Sequence, residues 1–131
     1  MHDDTRSINL QIQLTERALH SLRDIDGVYG SFLLNATGEL RARDLPAVFD
    51  DQTLAESGAR IARLWEVISD SGPPEYAMLE FSEYSLFLRR VGAGCLCVVV
   101  PAYVNVLALR LASKWVARYF EPVAHKNTLI S

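Results

Sequence analysis

The chain is 131 residues long, with 13 Lys+Arg against 16 Asp+Glu, a formal charge of −3 and 50% hydrophobic residues. That composition excludes intrinsic disorder as the default state, and the length suits one domain, residues 1–131, able to bury about two-thirds of its unfolded surface without a disulfide or metal staple. An acidic balance argues against a nucleic-acid partner, because recognition of phosphates starts from a basic footprint.

Met1-His2-Asp3-Asp4-Thr5-Arg6 has no apolar run behind it. It does not read as a secretory signal, and a cytoplasmic location is expected. Ile8, Ile12, Thr15, Leu19 and Leu22 recur at helical spacing, and Asp26-Gly27 closes that helix. Residues 28–34 read as a strand and Asn35-Ala36-Thr37-Gly38 as a turn. A shorter strand follows over 39–43, with Arg41 and Arg43 on alternate positions, the pattern of an edge guarded by charge.

Asp50 or Asp51 is placed to cap a second helix. Leu54, Ser57, Gly58, Ile61, Leu64, Trp65 and Ile68 fall on one face of it, and Glu56, Arg60, Arg63 and Asp70 fall opposite. Ser71-Gly72-Pro73-Pro74 ends it. Three strand-like runs come next, at 76–82, 84–90 and 95–100, joined through Ser82-Glu83 and Gly92-Ala93-Gly94. The last is apolar throughout and should lie centrally, covered on both faces. Residues 91–109 carry no charge, but Gly92, Gly94, Pro101 and Asn105 interrupt the run, so no membrane insertion is expected. Asn105 caps a final helix to about Phe120, with Pro122 just past its end. Helix, two strands, helix, three strands, helix is the α+β class, an antiparallel sheet flanked by helices.

No constellation in the chain supports catalysis. Cys95 and Cys97 alternate on a strand and face the same side, while His2, His20 and His125 offer no ligand spacing near them. The pair reads as buried structural thiols, with no metal site. Gly92-x-Gly94 lacks the third glycine of a dinucleotide loop and no phosphate-binding loop is present, so no cofactor is expected. His20 reads as a solvated residue beside Arg17 and Arg23, and no nucleophile has a visible base. The chain reads as a non-enzyme with no catalytic residues.

What remains are surfaces. Ala55, Ala59 and Ala62 form a small-residue stripe beside Gly58, which either seats the helix on its own sheet or admits a second helix. Tyr76-Ala77-Met78-Leu79-Glu80-Phe81 is an apolar strand without guarding arginines, an edge that asks for a partner and so for a homodimer. Arg110, Lys114 and Arg118 recur every four residues opposite Ala108, Ala112, Trp115, Val116 and Tyr119. They make a solvated face, or one that meets an acidic partner or an anionic membrane.

The stretch from Asp26 through Gly38-Glu39-Leu40, with its Gly27-Val28-Tyr29-Gly30 entry, resembles the opening hairpin of the Roadblock / dynein light chain family. The alanine-rich second helix, the three-strand meander and Cys97-Val98-Val99-Val100-Pro101 before a closing helix agree with it over about residues 8–121. Thr37 stands where an acidic residue is more usual. The resemblance implies a five-stranded antiparallel sheet in the order α-β-β-α-β-β-β-α, with two helices on one face and the second helix on the other. It also implies a homodimer in which third strands and second helices pair, putting Ala55, Gly58, Ala59, Ala62, Tyr76, Met78 and Glu80 at the interface. Bacterial members of the MglB type bind a Ras-like small GTPase through the second helices, which here expose Glu56, Arg60, Arg63 and Glu66. The expected function is a non-catalytic dimeric GTPase regulator or scaffold. The alternatives are an adaptor subunit of a motor or secretion complex, or a small-molecule sensor domain.

Overall fold

The computed structural model describes residues 10, 13–70, 72 and 74–130, with Ser69 and residues 121–130 described through their backbone alone. Helix α1 covers residues 13–20 and tightens into a 3-10 turn at Ser21–Asp24. Then come β1 (Gly30–Leu34), β2 (Leu40–Asp44), α2 (Asp51–Ser69), β3 (Tyr76–Glu80), β4 (Ser85–Val91), β5 (Gly94–Val100) and α3 (Val106–Ile130). The strands form one sheet in the order β2-β1-β5-β4-β3, and every pairing is antiparallel. Ile8 and Ile12, with Ser71 and Pro73, lie outside the described residues.

β5 is central, as its unbroken apolar run predicts. Leu96, Val98 and Val100 enter a core with Leu19 and Leu22 from the α1 region and Leu109 and Val116 of α3. Cys95, Cys97 and Val99 enter a second core with Leu54, Ile61 and Trp65 of α2. The period-two alternation of strand side chains thus divides the molecule into an α1/α3 face and an α2 face.

The caps follow the expected chemistry. Asp50 accepts the Thr53 N–H at 2.7 Å and Asn105 the Ala108 N–H at 3.1 Å, each satisfying a donor that the first helical turn leaves free. That bond from Thr53 holds the Asp50 carboxyl below its ordinary pKa. In the β1–β2 turn the Asn35 side-chain oxygen accepts from the Thr37 and Glu39 N–H groups and from the Thr37 hydroxyl, so Thr37 supports the turn without a carboxylate.

Several expectations change. α3 does not stop before Pro122 but runs on to Ile130, since a proline removes one helical hydrogen bond without forbidding helix on both sides. Trp115 is 70% exposed and Tyr119 48% exposed; Leu109, Ser113, Val116 and Ala117 take the sheet-facing side instead. Gly94 belongs to β5 rather than the turn, where a Cβ would stand 2.1 Å from the Leu34 carbonyl oxygen. Gly92, at φ 58°, supplies the left-handed residue of the two-residue turn between Val91 and Gly94. β2 is an edge strand, but only Arg41 projects freely from it. Arg43 turns toward α2, donating to Asp51 at 2.5 Å and to the Phe49 carbonyl.

Gly58 is buried against its own chain. A Cβ there would lie 2.3 Å from the Gly38 carbonyl oxygen, and Gly38, at φ 86°, faces the Gly58 carbonyl in return. The two glycines let the β1–β2 turn rest backbone to backbone on α2. Gly58→Ala should lower unfolding stability by about 1–3 kcal/mol through overpacking, set against a helix-propensity gain of ~1 kcal/mol or less. Urea denaturation should give the same loss at low and high protein concentration. A concentration-dependent loss would move the contact to a second chain.

Candidate functional site

α2 is held at its start by Asp50 and Arg43 and along its length by Leu54, Gly58, Ile61 and Trp65, which are buried beneath it. Among the described residues nothing covers its opposite side. Ala55 and Ala59 are exposed and Ala62 half-buried, so three of the four small residues expected at an interface are offered outward. Gly58 is the exception, occupied by Gly38 of the same chain. Glu56, Arg60, Arg63 and Glu66 are all exposed beside the alanines. The i,i+4 and i,i+3 spacings would permit intrahelical ion pairs, but among the described residues neither Arg60 nor Arg63 forms one.

At the end opposite β2 the sheet stops at β3, whose outer edge no other strand among the described residues covers. Tyr76 and Met78 are half-buried and pack into the α1/α3 core, Tyr76 stacking on Phe87 with centroids 5.4 Å apart. β3 offers a partner its backbone edge, with Glu80 exposed at its end and Tyr76 and Met78 half-buried.

A groove of about 430 Å³ opens where the end of α2 meets the β1–β2 and β4–β5 turns, with Trp65, Glu66, Asp70, Arg90 and Cys95 in its walls. The Trp65 indole N–H is buried and has no hydrogen-bond partner among the described residues. Cys95 and Cys97 are free buried thiols with sulfurs 3.9 Å apart, and burial pushes the Cys97 thiol pKa well up, away from thiolate chemistry. Among the described residues no three His, Cys, Asp or Glu side chains gather as a metal site would require. His20 is exposed, with Nδ1 3.3 Å from an Asp44 carboxylate oxygen, and Arg23 donates to the same carboxylate at 2.8 Å. That contact ties the α1 region to β2.

The residue missed in the sequence is Arg89. Only 5% exposed, it donates from Nε to the Ser113 hydroxyl at 2.8 Å and from its two terminal nitrogens to Glu75 and the Arg110 carbonyl, each at 3.1 Å. The signal was its parity: Arg89 shares a strand face with Phe87 and Val91, which both enter the α1/α3 core. The arginine locks β4 to α3 and carries no role on the α2 face.

No protein-family model matches the chain, and no curated protein sequence does. Solved structures match. A Roadblock/LC7 domain from Streptomyces avermitilis superposes with a TM-score of 0.72 at 15% identity, covering 82% of this chain and 95% of that one. Myxococcus xanthus MglB superposes at 0.73 and 13% identity, covering 86% and 95% respectively. The gliding protein MglB of Thermus thermophilus gives 0.73 at 12% identity, covering 88% and 91%. The fold is the Roadblock/LC7 fold, with the sheet, helix order and helix placement that the sequence resemblance implied.

Arg89 makes stability depend on pH through Glu75. Its hydrogen bond, then its charge, hold the Glu75 carboxyl below the ordinary 4.5, with smaller help from Lys114 and Arg110. A carboxyl with a lowered folded-state pKa contributes stability that is whole above its unfolded value and lost as pH falls below it. Glu75→Gln should therefore be less stable than the parent at pH 7, the two converging below 4.5 in denaturation series across pH.

Proposed function

We propose that this Roadblock/LC7-fold chain is a non-catalytic, homodimeric regulator or scaffold that binds a Ras-like small GTPase across the outer face of α2. One observation carries the reading: α2 exposes Ala55, Ala59, Arg60 and Arg63 on a side that nothing in the described chain covers, and β3 leaves its outer edge unpaired among the described residues. Small residues allow a second helix to approach closely, and an unpaired strand edge favours continuation of the sheet into another copy. MglB is also known with a tetrameric arrangement, in a structure covering 88% of this chain, which supports assembly of several copies on this fold.

In this reading the chain supplies no reacting group. The GTPase brings Mg²⁺ and the phosphate-binding loop, and the α2 face acts by ordering the switch segments that surround the nucleotide. Arg60 and Arg63 are the side chains on that face able to approach a phosphate-bearing partner, and their main effect is on encounter and orientation. A cytoplasmic setting follows from a GTPase partner. Among the described residues no helix is long and apolar enough to cross a membrane.

Sedimentation at micromolar concentration should give twice the 14.7 kDa of one chain; a single-chain mass sinks the dimer. GDP- and GTP-analogue-loaded small GTPases passed over the immobilised chain should be retained according to nucleotide. Reversing both Arg60 and Arg63 to Glu should weaken that retention tenfold or more, roughly 1.4 kcal/mol, with unchanged circular dichroism and sedimentation. If no GTPase is retained in either nucleotide state, the chain is an adaptor for another kind of partner.

A further inference from the structure

The α1/α3 face carries a surface that the α2 reading leaves unused. Leu107, Leu111, Trp115 and Tyr119 follow one another at four-residue intervals along α3 and are exposed, Trp115 at 70%. Four-residue spacing advances the face by about 40° a step, so the four lie along one slowly turning stripe. Tyr103, 79% exposed, extends it into the loop before the helix. Over residues 106–120 the helix carries Arg110, Lys114 and Arg118 and no carboxylate, although the whole chain is acidic.

These cations differ in availability. The Arg110 guanidinium lies 4.7 Å from the Tyr76 ring centroid, and Glu75 feels its charge and that of Lys114. Lys114 and Arg118 are exposed and form no ion pair among the described residues; Arg118 stacks over Trp115 at 5.5 Å, holding ring and charge together. Burying a second copy's α3 here in a two-fold contact would set cations against cations. The face is the convex outside of a helix, with Trp and Tyr beside Lys and Arg. That is the composition that settles at the headgroup level of a bilayer, where indole and phenol rings sit in the interface and cations meet anionic lipid.

We propose that the outer face of α3, through Leu107, Leu111, Trp115 and Tyr119 flanked by Lys114 and Arg118, docks the protein peripherally on an anionic lipid surface. The chain's net charge of −3 does not oppose this. Charges more than about 8 Å from the surface are screened at physiological salt, so the face that touches decides. α2 lies on the other side of the sheet, and docking through α3 leaves it uncovered. The docking is independent of any GTPase partner.

The test is co-sedimentation of the full chain with phosphatidylcholine vesicles, with and without about one-third phosphatidylglycerol. Binding should require phosphatidylglycerol and weaken as salt rises. The vesicles should shift tryptophan emission to the blue, and Trp115→Phe should abolish that shift, because the other tryptophan, Trp65, is only 7% exposed in the α2 core. Each cation is worth about fivefold in partitioning, so reversing Lys114 and Arg118 to Glu should cost at least about 25-fold. Both positions are exposed, and thermal melts should be unchanged. Equal binding to neutral vesicles, no binding to either, or full binding by the double reversal would overturn the proposal. Retention on an immobilised acidic amphipathic peptide without vesicle binding would assign the face to a protein partner instead.

Discussion

From Cys95 to Val100 β5 carries no polar side chain except two thiols, and the architecture is organised around keeping both of its faces out of water. Each fully buried Val or Leu contributes about 1.5–3 kcal/mol relative to exposure, and a strand presents alternate residues to opposite sides. One cover is not enough. α1 and α3 close over Leu96, Val98 and Val100, α2 closes over Cys95, Cys97 and Val99, and β1 and β4 satisfy both backbone edges.

That arrangement makes the two helix layers independent surfaces. α2 is seated by a backbone contact, Gly58 on Gly38, and leaves alanines and mixed charges outside. α3 is seated partly by a polar clamp, Arg89 reaching Ser113, the Arg110 carbonyl and Glu75, and leaves aromatics and cations outside. A buried guanidinium is tolerated only when its donors are used and its charge is answered. Here Ser113, a helix carbonyl and a carboxylate do both, which also fixes the register of α3 along β4. The sheet between the layers allows one face to be occupied while the other remains open.

The order of elements, both capped helix starts, the central place of β5 and the two edge strands were determined by local sequence: 3.6-residue and two-residue periodicity, Asp50 and Asn105, and the apolar run 95–100. The outward placement of Arg60 and Arg63 was legible for the same reason, since a helix's buried face names its exposed one, whereas the alanine stripe beside them could equally have met the sheet. Tertiary structure alone decided what met across long separations. Gly58 looked like a contact for a second helix until Gly38, twenty positions earlier in the chain, was found against it. Trp115 shared the side opposite the cations with Val116, but the sheet took Leu109, Ser113 and Val116 and left the indole outside. Arg89 drew no notice in the sequence, and only the fold brought Ser113 and the Arg110 carbonyl to it. Periodicity says which residues share a face, but only the packed partner, set by the volume and hydrogen bonds available at that place, decides which of them are buried and by what.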